Sequence, residues 1–320
     1  MINIRLLVTG GLGFIGSNFI NYWLKNHPND HILNVDKCTY AADFNNIDKN
    51  LSSRNYKFVK EDICNETSMI TLTKDFDIIV NFAAESHVDN SINNASAFVR
   101  SNYYGVYSLL EASRMNDIRI HQVSTDEVFG SLSSESSESF KENTPYDPKN
   151  PYSATKAAAD HLVRAYANTY GIKATISNCS NNFGPNQHKE KLIPKTILNA
   201  IMRKEIPIYG SGRNIRDWIF VEDHCSAIAA ILTKGGLGES YLIGARNERT
   251  NIEIVELILG QIAAPKDLIK YVEDRRGHDY RYSIDPSKIE KELQWKPKYN
   301  FEHALSITIE YYKNKLTKTQ

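Results

Sequence analysis

Cysteine is scarce. Four thiols in 320 residues, Cys38, Cys64, Cys179 and Cys225, lie far apart, with no Cys-x-x-Cys pair and no histidine at ligand spacing. That pattern argues against a disulfide framework and against a zinc site, and it suits a reducing compartment such as the cytoplasm. An excess of charge is lacking too. The 38 Lys and Arg balance the 38 Asp and Glu, so the composition does not advertise a polyanionic partner such as nucleic acid or an anionic membrane surface. Any basic site must be local. No apolar run approaches the roughly 20 residues a membrane-spanning helix needs. The opening, MINIRLLVTGG, reaches its glycines too soon for a signal peptide and reads as a first strand. There is no internal repeat. The one low-complexity patch, GSLSSESSESFKENTPYDPKNP, is expected to be a surface loop between a strand and a helix.

What the chain does have is alternation. With 41% hydrophobic residues it can bury a sizeable core. Strand-like runs (NIRLLVT, HILNVD, YKFVKED, DIIVNFA, RIHQVST, KATISNC) are separated by helical stretches such as FIGSNFINYWLKNH, SAFVRSNYYGVYSLLEASRM and SATKAAADHLVRAYANTYG. Apolar strands alternating with helices predict an α/β fold: a doubly wound parallel sheet of the Rossmann type, covered on both faces. After about residue 180 the alternation breaks into loop-rich segments. Residues 1–180 are therefore read as a nucleotide-binding domain. Residues 181–320 are read as a smaller C-terminal α/β lobe for substrate, with some elements returning to the first domain.

VTGGLGFIGSNF follows the first strand and opens a helix. Gly10, Gly13 and Gly16 there permit a tight turn, close approach of backbone to a pyrophosphate and close helix packing. Asp36 ends the second strand twenty positions after Gly16. A carboxylate at that place can accept hydrogen bonds from both ribose hydroxyls and would repel a 2′-phosphate, which favours NAD over NADP. Asp62 closes the third strand, within reach of an adenine.

HQVSTDEVFG sets Thr125, Asp126 and Glu127 at the carboxyl end of the fifth strand, where ligands of such sheets bind. PYSATKAAADHL places Tyr152 and Lys156 four apart at a helix start, on one face. A nearby ammonium stabilises phenolate, so the spacing predicts a lowered tyrosine pKa and a base usable near neutrality. A dinucleotide fold, a Thr and a Tyr-Lys pair signal alcohol oxidation by hydride transfer. Two carboxyls beside them are more than that reaction requires.

NFAAESHVDNS, STDEVFG, PYSATKAAADHLV, NCSNNFGPNQHKEKLIP, RDWIFVEDH and DRRGHDYRYSID, together with the glycine turn, resemble the extended short-chain dehydrogenase/reductases. Among these they are most similar to the dTDP-glucose 4,6-dehydratases, over residues 3 to about 312. The resemblance implies a two-domain fold, tightly held NAD, a nucleoside diphosphate hexose as substrate and a homodimer, with SAFVRSNYYGVYSLLEASRM and SATKAAADHLVRAYANTYG at its interface. It implies that Thr125 and Tyr152 hold the C4 oxygen, with Lys156 behind them. Glu127 would take the C5 proton and Asp126 would protonate the leaving C6 hydroxyl; the negative Glu127 and exclusion of water should keep Asp126 protonated. Both carboxyls can reach one ligand only if the strand ends at Thr125.

For the cofactor, the resemblance adds Phe14, Ile15, Lys37, Thr39, Ile63, Ala83, Ala84, Ser101 and Asn182. For the substrate it implies Ser86 and Asn181 at the sugar, with Lys191, Leu192, Arg216 and Asn251 near the diphosphate and nucleoside. Pro207, Tyr209, Arg275 and His278 fall about the base and ribose. Three positions depart from the family pattern: Asn90, Phe129 and Arg276 stand where Arg, Tyr and Pro are usual. None is a catalytic position; they bear on which nucleotide and sugar are taken. The residues leave open a UDP-glucose or other hexose substrate. A 4-epimerase or sugar decarboxylase on the same scaffold would have no evident use for the Asp126–Glu127 pair. A non-catalytic dinucleotide sensor could dispense with the Tyr or the Lys.

Overall fold

The computed structural model describes residues 3–50, 55–133, 135–274 and 277–317. The first half runs β1 Arg5–Thr9, α1 Phe14–Asn26, β2 His31–Asp36, β3 Tyr56–Lys60, α2 Glu66–Leu72 and β4 Ile78–Asn81. It continues through α3 Val88–Asn93, α4 Ala95–Phe98, α5 Gly105–Asn116, β5 Arg119–Thr125, α6 Pro151–Tyr170 and β6 Ala174–Cys179. The second half runs β7 Asn181–Phe183, α7 Leu192–Ile201, β8 Ile206–Tyr209, β9 Ile215–Phe220, α8 Val221–Lys234 and β10 Ser240–Ile243. It ends with β11 Glu248–Thr250, α9 Asn251–Ile262, β12 Ile269–Val272, α10 Ser287–Leu293 and α11 Phe301–Thr317.

Seven strands form the main sheet in the order β10-β6-β5-β4-β1-β2-β3, and every pairing in it is parallel. This is the expected doubly wound sheet. Its strand order reverses between β1 and β4, the place where such sheets open a crevice at their carboxyl ends. Successive side chains of β1 go to opposite faces. Leu6 and Val8 pack with Phe19 and Trp23 of α1 and Ile228 of α8, whereas Leu7 packs with Leu109 of α5 and Val163 of α6. Trp23 is fully enclosed, its indole N–H donating to Asp30 Oδ2 at 3.0 Å. Burying a large apolar side chain contributes about 1.5–3 kcal/mol, provided its polar atom is paired in this way.

Smaller sheets follow. β11, β9 and β7 form one, over a core of Phe183, Ile197, Trp218, Phe220, Ile254 and Leu305, and β12 with β8 another, where Ile206 and Ile208 pack with Val255 and Leu259. Two segments that read as loop-rich thus contain strands: NNFGPNQHKEKLIP holds β7, and IPIYGSGRNIRDWIFVED holds β8 and β9. Their partners are distant in sequence (β12 for β8, β7 and β11 for β9), so no local pattern announces them. The Ser-rich segment is a loop tied down at both ends. Leu132 bridges to Arg281 and Phe140 to Ile284, and Arg281 Nη1 donates to the carbonyls of Ser136 and Glu138.

Candidate active site

The carboxyl ends of the main sheet open into a cavity of about 300 Å³. The glycine turn forms one wall. Gly10 has φ +67°, and a Cβ there would stand 2.6 Å from the backbone nitrogen of Ala83; at Gly16 it would stand 2.4 Å from the carbonyl oxygen of Gly10. Neither position admits a side chain without moving backbone. At Gly13 the nearest atom is 3.3 Å away, leaving room for a ligand. The first turn of α1 carries no acidic residue and no side-chain cap. Its amide N–H groups and positive dipole end are therefore available to an anion. Asp36 joins this wall: its Oδ2 accepts from the amide of Leu12 at 3.1 Å and its Oδ1 from that of Cys38 at 2.8 Å. Lys37 Nζ donates to Ser101 Oγ at 2.8 Å, linking the end of β2 to the helix beyond β4.

At the opposite wall β5 stops at Thr125, and a single tight turn, Asp126–Phe129, follows. Beside it, α6 begins with a capping box: Asn150 accepts from the amide of Ser153 at 2.9 Å, with Pro151 in the first turn. That firm start aims Tyr152 and Lys156 at the strand end. Asn150 also lies near enough to the Glu127 carboxylate to favour its charged form.

The two carboxyls differ. Asp126 is 2% exposed, and burial first, then the charge of Glu127, push its pKa well above the usual carboxylate range. Its Oδ2 is buried with no hydrogen bond among the described residues. Glu127 is half-buried; burial raises its pKa while Lys191 and Arg216 oppose the rise. The raised pKa of Asp126 has the direction the sequence led us to expect. The expectation for Tyr152 is not met. Burial first, then Glu127, drive its phenol well above its ordinary value, outweighing any effect of the helical Tyr-Lys spacing. Lys156 Nζ is turned to the carbonyl of Val123 at 2.7 Å, and burial lowers its pKa.

The cavity brings together Gly10, Gly13, Phe14, Ile15, Gly16, Asp36, Lys37, Thr39, Asp62, Ile63, Ala83, Ala84, Ser101 and Asn182 with Ser86, Thr125, Asp126, Glu127, Tyr152, Lys156, Asn181 and Lys191. Other candidates lie outside its lining. Leu192 opens α7, Pro207 pairs with Lys270, and the amide of Asn251 donates to Asn214 O at 3.0 Å. Tyr209 and His278 form a separate cluster, ring centroids 6.5 Å apart, where the Tyr209 hydroxyl donates to Asp89 Oδ2 at 3.4 Å. Arg216 is buried; its guanidinium donates to the carbonyls of Ile215, Asp279 and Tyr280 and lies 4.1 Å over the Tyr282 ring. Arg275 lies outside the described residues. Glu85, His188 and Glu190, which the sequence reading did not single out, do line the cavity. His188 Nδ1 sits 3.4 Å from Glu190 Oε2, and Tyr40 donates to Glu190 Oε1 at 3.4 Å. All three sit in motifs already noted, Glu85 in NFAAESHVDNS and His188 and Glu190 in NCSNNFGPNQHKEKLIP, but no spacing there singles them out.

A Tyr-Lys pair facing a glycine turn across the open end of a doubly wound sheet defines the short-chain dehydrogenase/reductase class. Within it the chain belongs to the family described as GDP-mannose 4,6 dehydratase, whose model matches residues 7–308. It is 45% identical to the dTDP-glucose 4,6-dehydratase of Mycobacterium tuberculosis over 97% of this chain and 93% of that one. Its structure resembles DesIV, a dTDP-glucose 4,6-dehydratase from Streptomyces venezuelae solved with NAD bound, with TM-score 0.95 and 41% identity over 98% of each chain. A UDP-glucose 4-epimerase from Thermotoga maritima is also similar, at TM-score 0.90 and 25% identity, covering 98% of this chain and 100% of that one.

Proposed function

We propose that the protein is an NAD-dependent 4,6-dehydratase that converts dTDP-glucose to dTDP-4-keto-6-deoxyglucose. The observation that carries this reading is the Asp126 carboxyl, buried beside Glu127 and next to the Tyr152 and Thr125 hydroxyls, where burial raises its pKa. Oxidation or epimerisation at C4 needs one proton and one hydride moved. Elimination of water needs a base at C5 and an acid at C6 besides, and this pair supplies both.

The residues present fit the cofactor: the uncapped start of α1 for its pyrophosphate and Asp36 for its adenosine ribose. When bound, NAD supplies a hydride acceptor that can give the hydride back. Burial favours the Tyr152 phenol, whereas the positive charges of Lys156 and of a bound nicotinamide would favour the phenolate. Aligned by Thr125, the phenolate takes the proton of the C4 hydroxyl as that carbon becomes a ketone. The ketone acidifies the C5 hydrogen, which Glu127 accepts. Asp126 gives its proton to the C6 hydroxyl, which leaves as water, and a C5–C6 double bond forms. Saturation of that bond by a hydride at C6 and a proton at C5 gives the 4-keto-6-deoxy sugar. Ser86 and Asn181 contact the hexose in this reading, and Lys191 faces the diphosphate. Tyr209 and His278 flank the base.

A cytoplasmic homodimer belongs to the same proposal. Val99, Tyr103 and Tyr104 are exposed on the helical turn that leads from α4 into α5, and Tyr170 at the end of α6. Arg114 over the Tyr170 ring and the Tyr104–Tyr107 ring contact make this face continuous, as an isologous interface would need. Incubation with dTDP-glucose, then alkali, should produce the absorbance of a 4-keto sugar, and UDP-glucose should produce much less. No keto sugar from any nucleoside diphosphate hexose would refute the assignment.

A further inference from the structure

Behind the reacting groups lies a third carboxyl, which the reaction scheme leaves unused. Asp160 follows Lys156 by four residues on α6, so the two side chains share one face of the helix. It is fully buried. Its Oδ2 accepts three hydrogen bonds, from Ser124 Oγ at 2.7 Å, Tyr146 OH at 3.0 Å and Asn178 Nδ2 at 3.1 Å. Three donors converging on one oxygen favour the ionised form over the neutral acid. The other oxygen is buried with no hydrogen bond among the described residues.

Lys156, 4% exposed, needs a nearby opposite charge to remain an ammonium. Its Nζ donates to a neutral carbonyl, that of Val123; Asp160 first, and the Cys179 thiol after it, favour its charged form. The same carboxylate reaches the strand end. Ser124 directly precedes Thr125, and Asn178 Nδ2 also donates to the carbonyl of Thr125 at 3.1 Å. Arg164 backs the cluster, donating to Tyr146 OH at 2.8 Å and lying 4.9 Å over that ring. Burial raises the Asp160 pKa above the usual carboxylate value, and Lys156 first, then Ser124, Arg164 and Asn178, oppose the rise.

We propose that Asp160 is a positioning residue for the oxidation step: its carboxylate is the counter-charge that holds Lys156 as an ammonium, and through Ser124 and Asn178 it anchors the end of β5 that presents Thr125. Only the choice of step rests on the dehydratase reading above. The charged and titratable groups around this pair are Arg164 and Tyr152 on α6 itself, Tyr146 from the loop before it and Cys179 from β6. Asp160 touches neither cavity nor ligand and acts through Lys156.

The test is a direct titration of Lys156 in protein labelled with ¹³C at lysine Cε, its resonance assigned by its loss in Lys156→Arg. In Asp160→Asn the Lys156 midpoint should fall by about 1–3 pH units, the usual effect of one close opposite charge. The basic limb of cofactor reduction by dTDP-glucose should fall with it. The double variant Ser124→Ala, Tyr146→Phe keeps Asp160 but removes two of its three donors, and it should move the midpoint the same way by less. A lower melting temperature with an unmoved midpoint, in whichever variant folds, would overturn the proposal. A parent protein that reduces no cofactor with the sugar nucleotide would sink the dehydratase reading and leave the titration valid.

Discussion

The hydroxyl of Thr125 accepts the amide hydrogen of Glu127 at 3.3 Å, and β5 ends there. In a continuing strand Asp126 and Glu127 would point to opposite faces. In the turn that begins at Asp126 both line one cavity. The turn also separates their surroundings. Asp126 sinks beneath the strand end, while Glu127 stays half-buried under the influence of Lys191 and Arg216. Two adjacent carboxyls thus come under different influences: burial and the Glu127 charge raise Asp126, whereas Lys191 and Arg216 oppose the rise at Glu127.

Asp126 should lower stability at neutral pH. Its folded-state pKa is raised, by burial first and Glu127 second, above an unfolded value of about 3.9. A group raised in this way contributes stability that is whole below about pH 4 and is lost as pH climbs through the folded value. Asn has no such proton to lose. Asp126→Asn should therefore melt at a higher temperature than the parent at pH 8, with the gap closing toward pH 4. Calorimetry at both pH values checks this; equal melting temperatures at pH 8 would contradict it.

The main sheet was legible because its strands carry apolar runs of strand length bounded by turn residues, as in RLLVT before Gly10 and HILNVD up to Asp36. The end of β5 was legible for the same reason, since TDEVFG cannot prolong a buried strand. The small sheets were not. β10 joins the main sheet beside β6 and β8 finds β12, pairings made across some sixty residues that leave no periodic trace. Electrostatics were half legible. Spacing announced that Tyr152 and Lys156 share a helix face. It could not show that the lysine bonds the carbonyl of Val123, nor that Glu127 and burial dominate the phenol. His188 and Glu190 reach the cavity only because the loop before α7 folds back over it.

Asp36 should set the cofactor preference. Its carboxylate, tied to the glycine turn through Leu12, stands where a ribose hydroxyl pair is expected. Hydrogen bonds to a charged group contribute about 1.5–3 kcal/mol, so Asp36→Ala should weaken NAD binding roughly 10–150-fold and narrow the preference over NADP. Fluorescence titration of apoprotein measures both. A parent apoprotein that prefers NADP would overturn the role given to this carboxylate.

The aromatic face of α5 and α6 should be covered by a second copy of the chain. Tyr104 is 46% exposed there, and a charge on it would be buried without a partner in a dimer. Sedimentation at micromolar concentration should show a dimer for the parent and a monomer for Tyr104→Glu. A monomeric parent would remove the dimer from the proposed function while leaving the active site untouched.

Asp126 and Glu127 should serve elimination and not the initial oxidation. Tyr152, Lys156 and Thr125 are enough to oxidise C4, since only the C4 hydroxyl proton needs an acceptor at that step. Asp126→Asn takes away the acid for the C6 hydroxyl and keeps a hydrogen-bonding side chain of similar shape. Losing one positioned proton donor should slow turnover about 10²–10⁴-fold. The cofactor should still become reduced when dTDP-glucose is added, so that absorbance near 340 nm, the region of reduced nicotinamide, rises without a matching yield of keto-deoxy sugar. Tyr152→Phe should instead suppress cofactor reduction and product together, because the C4 proton then has nowhere to go. Rapid-mixing absorbance with product assay on the same samples separates the two variants. If Asp126→Asn turns over like the parent, or if both fail alike at oxidation, the division of labour drawn from the turn at Thr125 is wrong.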